Sequence, residues 1–300
     1  MQRFRPNSTI TAGFLFAIGS AALFAIRPIF VKLVYLEGVS PLTLICLRMA
    51  FSVPVYIVIL ALLLREKRNR ERLNPKLILQ ISIAGVFGYY AASFLDLMGL
   101  QYVTAQLGRM ILYSYPTFVV LLAALFLSQK IHGRTLISLL ITYSGIALIF
   151  GHELHLLGGD VITGGLYITA GAVTFAVYLV FGKSLIDKVG SPVFTCIALI
   201  AASTAIFIHY GISSRLTMPE VNQTAFNLIV IIALFCTIIP TFFTTAAMAR
   251  IGADKTGIVS MIGPAFTSVF AVAVLSEAFT VFHLLGIGLS IIGIYILHQR

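Results

Sequence analysis

Ala105-Gln-Leu-Gly-Arg-Met-Ile-Leu-Tyr-Ser-Tyr-Pro-Thr-Phe118 opens an apolar run that continues to Leu127. At a rise of about 1.5 Å per residue, the run is long enough to cross a bilayer as a helix. It holds an arginine, Arg109, inside that span and a proline, Pro116, near its middle. A diverged copy appears 148 positions later, around Pro264.

The rest of the chain has the same character. Of its 300 residues, 59% are hydrophobic and only 10% are charged, against about 25% charged in a soluble domain. The apolar residues come in long runs, which reads as an all-α integral membrane protein. Runs of about 20 residues are too long for the strands of a membrane barrel, which need about 9–11. The formal charge of +10 raises nucleic acid as a partner. Most of that charge falls in short loops between spans, so topology accounts for it and no nucleic-acid partner is implied. Cys46, Cys196 and Cys236 all lie in apolar runs without a Cys-x-x-Cys pair, which suggests neither a disulfide framework nor zinc. Among the histidines only His152-Glu-Leu-His155 approaches ligand spacing. It is too sparse for a metal site, and no cofactor is implied. Arg3 and Arg5 ahead of an apolar run resemble a signal peptide. A copy of that run deep in the chain makes it a mature span instead.

Ten spans are expected, near 12–33, 41–64, 76–99, 103–127, 134–151, 163–183, 191–211, 226–248, 254–276 and 281–298. Of the 20 Lys and Arg, 15 fall at the N-terminus, in the loops after spans 2, 4, 6 and 8, or in the C-terminal tail. They are Arg3, Arg5, Arg65, Lys67, Arg68, Arg70, Arg72, Lys76, Lys130, Arg134, Lys183, Lys188, Arg250, Lys255 and Arg300. The opposite loops hold two, Lys32 and Arg215. This asymmetry puts both termini in the cytoplasm of a multi-pass protein of the bacterial inner membrane. The basic loop from Arg65 to Arg72 serves first as a topology anchor, with contact to anionic membrane lipid as its second reading.

The two halves, 1–151 and 152–300, repeat. Ser40-Pro41 returns as Ser191-Pro192, and Phe30 and Lys32 return as Phe181 and Lys183, 151 positions on. From Ala105 the offset is 148: Ala105, Pro116, Phe118, Ala123, Ser128 and Gly145 recur as Ala253, Pro264, Phe266, Ala271, Ser276 and Gly293. Five spans per half, an odd number, means that the second half enters the membrane inverted. That is a design of secondary transporters, whose site lies near the midplane between the repeats.

Span 4 into span 5, and still more span 9 into span 10, resemble EamA-type members of the drug/metabolite transporter superfamily. The residues that carry the likeness are Ala246-Ala-Met-Ala-Arg-Ile-Gly-Ala253, Ser260-Met-Ile-Gly-Pro264, Leu275-Ser-Glu277, Gly286 and Gly293. Span 2, with Ser40-Pro-Leu-Thr43 and Arg48, is similar to the second helix of that family. The resemblance covers nearly the whole chain. It implies ten helices in two inverted five-helix repeats and a central cavity lined mainly by spans 1, 3, 4, 6, 8 and 9. The substrates it implies are amino acids, sugars and other small metabolites, often moved outward. Ser276 stands where the family usually has Gly, and Ser128-Gln129 stands where it often has Gly-Glu.

Four ionisable side chains fall clearly inside spans: Arg27, Arg48, Asp96 and Arg109. Each costs about 2.5–3.5 kcal/mol at a helix centre on insertion scales. All four are expected at similar depth, roughly 5–11 Å below the outer boundary. Their counterparts in the second half are Tyr178, Leu199, Thr244 and Gly257, so the fold does not demand the charges. In a structural reading, Asp96 pairs with one arginine and the others snorkel or bind carbonyls. In a functional reading, three cations against one anion hold a carboxylate or phosphate of a solute. Arg27 and Arg109 are the candidates to touch it; Arg48, on a span that is peripheral in the family, reads as structural. Asp96 is the one candidate for proton coupling, and a fixed arginine partner otherwise. Arg109, Tyr113 and Pro116 share a helical face, as do Tyr89, Ser93 and Asp96. With Tyr178 these tyrosines extend the substrate-binding set. Pro116 and Pro264, with Gly263, read as paired bends and gate hinges. Glu277 reads as a structural cap at the outer end of span 9.

A secondary transporter of a small organic metabolite, amino-acid or organic-anion-like and working outward by alternating access, is the leading expectation. A second copy of the chain is the one protein partner left open. An intramembrane enzyme is disfavoured, because the chain has neither a second membrane aspartate nor a serine turn with a partner histidine. A non-transporting sensor or assembly protein would show the same spans and no solute flux.

Overall fold

The computed structural model describes residues 7–127, 133–215 and 220–298. Arg3, Arg5, Ser128, Gln129, Lys130, His132 and Arg300, which enter the charge and repeat patterns, lie outside the described residues. Among the described residues every regular element is helical: α1 Asn7–Leu36, α2 Pro41–Leu63, α3 Lys67–Glu71, α4 Pro75–Gly85, α5 Ala92–Gly99, α6 Ala105–Leu112, α7 Tyr115–Leu127 and α8 Gly133–Leu157. There follow α9 Asp160–Val189, α10 Ser191–Ser213, α11 Gln223–Ala233, α12 Ile239–Ile251, α13 Ala253–Ser260, α14 Gly263–Leu275 and α15 Val281–His298. A π-helical segment, Val86–Ala91, joins α4 to α5, and a second, Leu234–Ile238, joins α11 to α12.

The starts of several helices are written locally. Ser40, Asn74 and Asn222 accept hydrogen bonds from the backbone N–H of Thr43, Leu77 and Ala225. Such caps satisfy donors that the first turn leaves open. Pro41 and Pro75 occupy first-turn positions, where no N–H is needed.

Among the described residues, eight helices are long and apolar enough to cross a membrane. The runs expected as spans 9 and 10 give shorter apolar helices, Gly263–Leu275 and Val281–Ile296. Span 9 is broken at Met261 and Ile262, between α13 and α14. Leu125, Leu140, Leu166 and Ile212 are among many large apolar side chains on the outside. Such a surface belongs against lipid.

The core is made by helix pairs. α1 packs on α12 and α14; α9 packs on α5 and α7. α2 lies against α10, and α8 against α15. The last pair is the tightest, because small residues let the backbones meet. A Cβ on Gly145 would fall 2.4 Å from the Gly286 carbonyl oxygen; one on Gly293 would fall 2.2 Å from Thr142 Oγ1. Ser138 Oγ donates to the Gly293 carbonyl at 2.5 Å, and Ser290 Oγ to the Thr142 carbonyl at 3.2 Å.

Candidate functional site

The charged residues of the spans meet where α1, α5 and α6 converge. Arg27 Nη2 donates to Asp96 Oδ2 at 2.6 Å, a largely buried ion pair between α1 and α5. Arg109, in the second turn of α6, is 8% exposed. Its guanidinium carbon stands 5.0 Å from the centre of the Tyr113 ring, a geometry that stabilises a cation. Arg109 Nε has no hydrogen-bond partner, and no carboxylate among the described residues pairs with this guanidinium. Arg48 is 2% exposed, lies within electrostatic reach of Arg27 and Asp96, and also leaves its Nε without a partner. Three guanidiniums thus surround one carboxylate, which is already engaged.

Arg27, Asp96 and Arg109, with Pro28, Leu100, Gly108 and Leu112, line a cavity of about 10 Å³. That is about the room one water molecule needs. The charges are therefore assembled around a space too small for anything larger than water.

Span 4 is interrupted next to Pro116. α6 ends at Leu112, two turn residues follow, and α7 begins at Tyr115 with Pro116 in its first turn. Span 9 does the same: α13 ends at Ser260, and α14 begins at Gly263 with Pro264 in its first turn. Pro116 and Pro264, the expected bends, both fall in the first turn of a second half-helix, where proline removes no hydrogen bond. The two interruptions are tied together. Tyr113 Oη donates to the Ser260 carbonyl at 3.0 Å, one of the open carbonyls at the end of α13. Gly263 is needed for space: a Cβ there would lie 2.2 Å from Tyr113 Oη.

The expected shared face of Tyr89, Ser93 and Asp96 does not hold. Tyr89 lies in the π-helical segment Val86–Ala91, whose wider turn shifts the register of everything before it. Asp96 meets Arg27, whereas Tyr89 turns to α9 and accepts a hydrogen bond from Tyr178 Oη at 3.1 Å. The tyrosines still connect to the charge cluster. Ring contacts run from Tyr113 to Tyr115, Phe175, Tyr178 and Tyr89, each 5.1–6.5 Å between centres.

Two ionisable groups expected in loops belong to helices. α8 runs past 151 to Leu157, so Glu153 is helical and 2% exposed. Asp96 is therefore not the only buried acid. α1 runs to Leu36, which takes in Lys32. Glu277 caps another helix: its carboxylate accepts from Ala105 N–H at 2.8 Å and Gln106 N–H at 3.4 Å, at the start of α6. Ser276 beside it has φ 54°, the left-handed region that favours glycine. Among the described residues no group of His, Cys, Asp and Glu has the arrangement of a metal site.

Comparison with known proteins agrees with this architecture. The profile of the EamA-like transporter family matches residues 11–151 and again 162–298. A Bacillus subtilis protein described as the uncharacterized transporter YcbK is 26% identical over 287 residues, covering 92% of this chain and 89% of its own. An uncharacterized transporter of Archaeoglobus fulgidus is 25% identical over 261 residues, covering 87% and 90%. A solved crystal structure superposes with a TM-score of 0.64 over 96% of both chains at 16% identity, which is a likeness of fold.

Proposed function

This chain belongs to the EamA-like transporter family and is a multi-pass membrane transporter, not an enzyme; we propose that it moves a small carboxylate-bearing metabolite, an amino acid or organic anion, outward across the bacterial inner membrane by alternating access. In this reading the chain forms ten spans in two inverted five-helix repeats, residues 1–151 and 152–300, with both termini cytoplasmic.

Several features support the repeat. The π-helical segments start 148 positions apart, at Val86 and Leu234, and the half-helices α7 and α14 also start 148 apart, at Tyr115 and Gly263. Contacts come in matched pairs. Ser20 Oγ donates to the Pro240 carbonyl at 3.0 Å. At the counterpart positions, a Cβ on Gly171 would sit 3.0 Å from the Ala92 carbonyl oxygen. Ser138 Oγ donates to the Gly293 carbonyl, and at the counterpart positions a Cβ on Gly286 would sit 2.6 Å from the Gly145 carbonyl oxygen. A pseudo-two-fold pair of interrupted helices at the centre is the usual setting of a transporter site.

The observation that carries the substrate class is Arg109. A buried guanidinium without a carboxylate partner is costly, and an anionic solute would repay that cost. Arg27 is neutralised by Asp96 and orients the site, and Tyr113 offers its ring to the cation and to an apolar part of the solute. The closed cavity fits a state between the two open ones.

The test is flux in liposomes containing the purified protein, with a panel of amino acids, organic acids and neutral sugars. Acids that move, and that raise the melting temperature of the wild type but not of Arg109→Ala, are the expected result. Flux of neutral sugars alone would overturn the substrate class. Silence across the whole panel would favour the non-transporting reading.

A further inference from the structure

Arg48 is the intramembrane charge to which the site has so far given no task. The sequence reads it as structural, on a peripheral span. Yet it is 2% exposed, its Nε has no hydrogen-bond partner, and no carboxylate among the described residues pairs with it. A buried guanidinium that only supported the fold would be paired, because leaving it alone is costly.

The packing brings Arg48 to the other charges. α2, which carries it, packs against α5, which carries Asp96, and against the π-helical segment Leu234–Ile238. That segment also packs against α1, which carries Arg27. Ile26, Leu47, Met49 and Leu97, the chain neighbours of these three residues, share one packed cluster with Cys236 of the π segment. Cys236 is 1% exposed and lies within electrostatic reach of Arg27, Arg48 and Arg109 together. By the offsets of the repeat, its counterpart is Gly88, where a Cβ would fall 2.2 Å from Tyr178 Cγ. Tyr178 is the counterpart of Arg27, and buried Leu199 is that of Arg48. In the other half, then, the same place is packed without charge.

The other buried acids do not answer for the surplus. Glu153 accepts from Thr104 N–H at 3.3 Å, and Glu277 accepts from Ala105 and Gln106 N–H, all at the start of α6. Both carboxylates are within electrostatic reach of Lys32. Tyr35 and Tyr56, near Arg48, are phenols and carry no charge at neutral pH. Tyr35 also spends its Oη on the Leu97 carbonyl at 2.8 Å. Three guanidiniums against Asp96 therefore leave two positive charges. The two are held apart. Arg109 borders the small cavity beside the Arg27–Asp96 pair, whereas Arg48 is not part of its lining. α5, with Asp96, packs against both α2 and α6. A single carboxylate on Arg109 would leave Arg48 as costly as before.

We infer that Arg48 is a second anchor for the solute, and that the solute is a dicarboxylate whose acid groups are held apart by a short carbon chain, one on Arg109 and one on Arg48. Guanidiniums suit this, since each can take a carboxylate by two parallel hydrogen bonds. The second anchor rests on the reading of Arg109 as a solute-binding residue, and on the site opening as alternating access requires. The test compares glutarate and adipate with the half-amide of each, which keeps the length and removes one charge. Glycerol phosphate, with both charges on one group, is the third probe. Affinities are read by isothermal titration of the purified protein in detergent. Wild type should bind the better diacid about 10–100 times more tightly than its half-amide. Arg48→Met should bind that diacid no better than the half-amide, and should bind the half-amide as wild type does. If Arg48→Met weakens both alike, Arg48 is structural and the second anchor is overturned. Glycerol phosphate binding more tightly than either diacid overturns the separated acid groups. If Arg48→Met does not fold, the wild-type comparison of diacid with half-amide decides alone. Half-amides that bind wild type as well as the diacids remove the second anchor and leave the reading of Arg109 standing; no binding by any acid removes both.

Discussion

Replacing Arg109 by methionine separates a binding residue from a structural one by sign. Methionine keeps an unbranched side chain of similar reach and drops the charge. Arg109 stands about 6 Å along α6 from Ala105, where its guanidinium has no carboxylate partner and one aromatic ring beside it. Insertion scales put the cost of a guanidinium at about 2.5–3.5 kcal/mol at a helix centre. The Tyr113 ring returns about 0.5–2 kcal/mol of that. Removing both leaves the empty protein more stable by about 1–2 kcal/mol. Solute binding moves the other way. A hydrogen bond to a charged group is worth about 1.5–3 kcal/mol. At about 1.4 kcal/mol per decade, a carboxylate solute should bind on the order of 10–100 times more weakly. The assay is thermal unfolding of the purified protein in detergent, with and without the acids that shift wild type. Arg109→Met should melt higher when empty and lose the shift. If it melts lower, and the acids still raise its melting temperature as they do for wild type, then Arg109 is a structural tie and the site lies elsewhere.

Arg27 should behave in the opposite way. Arg27→Met leaves Asp96 buried without its 2.6 Å partner, at a cost of about 3–5 kcal/mol, and Arg27→Met with Asp96→Met should recover most of it; strictly additive losses in unfolding measurements would refute the pairing. Gly263→Ala drives a Cβ to within 2.2 Å of Tyr113 Oη and should cost about 1–3 kcal/mol. Adding Tyr113→Phe should return part of that, and a double variant no better than the single one would show that the clash is elsewhere. Ser276→Gly relieves a residue held at φ 54° and should stabilise the protein by about 1 kcal/mol, read as a higher melting temperature; a lower one would mean that the serine side chain does something the backbone does not require.

That the chain is built of long apolar helices was readable from its sequence because hydrophobicity acts over whole runs. A stretch of about 20 apolar residues has few other destinations. What escaped was finer than that. The segments Val86–Ala91 and Leu234–Ile238 each widen one turn, and nothing in the side-chain pattern of either marks a π turn. One such turn was enough to separate Tyr89 from Asp96 and to send it to Tyr178. Hydropathy also ends a span where the average falls, not where the hydrogen bonds stop. Glu153 and Lys32 lower the average near span ends, so they looked like loop residues, although α8 and α1 run past them. The four intramembrane charges were visible at once, since each is costly there, but their partners were not. That Arg27 takes Asp96 and leaves Arg109 alone depends on how α1, α5 and α6 meet.

The division between the two halves is informative for the same physical reason. Features that both halves share, such as Pro116 with Pro264 and the two π segments, belong to the geometry of the repeated unit. Features present in one half alone answer to something that is not symmetric. Arg109 faces Gly257 across the repeat, and Thr104, the cap held by Glu153, faces Gly252. Both asymmetric features sit on α6, one at each end of an eight-residue helix. A solute anion bound at Arg109 would then act on a short helix whose start is held by Thr104, Glu153 and Glu277.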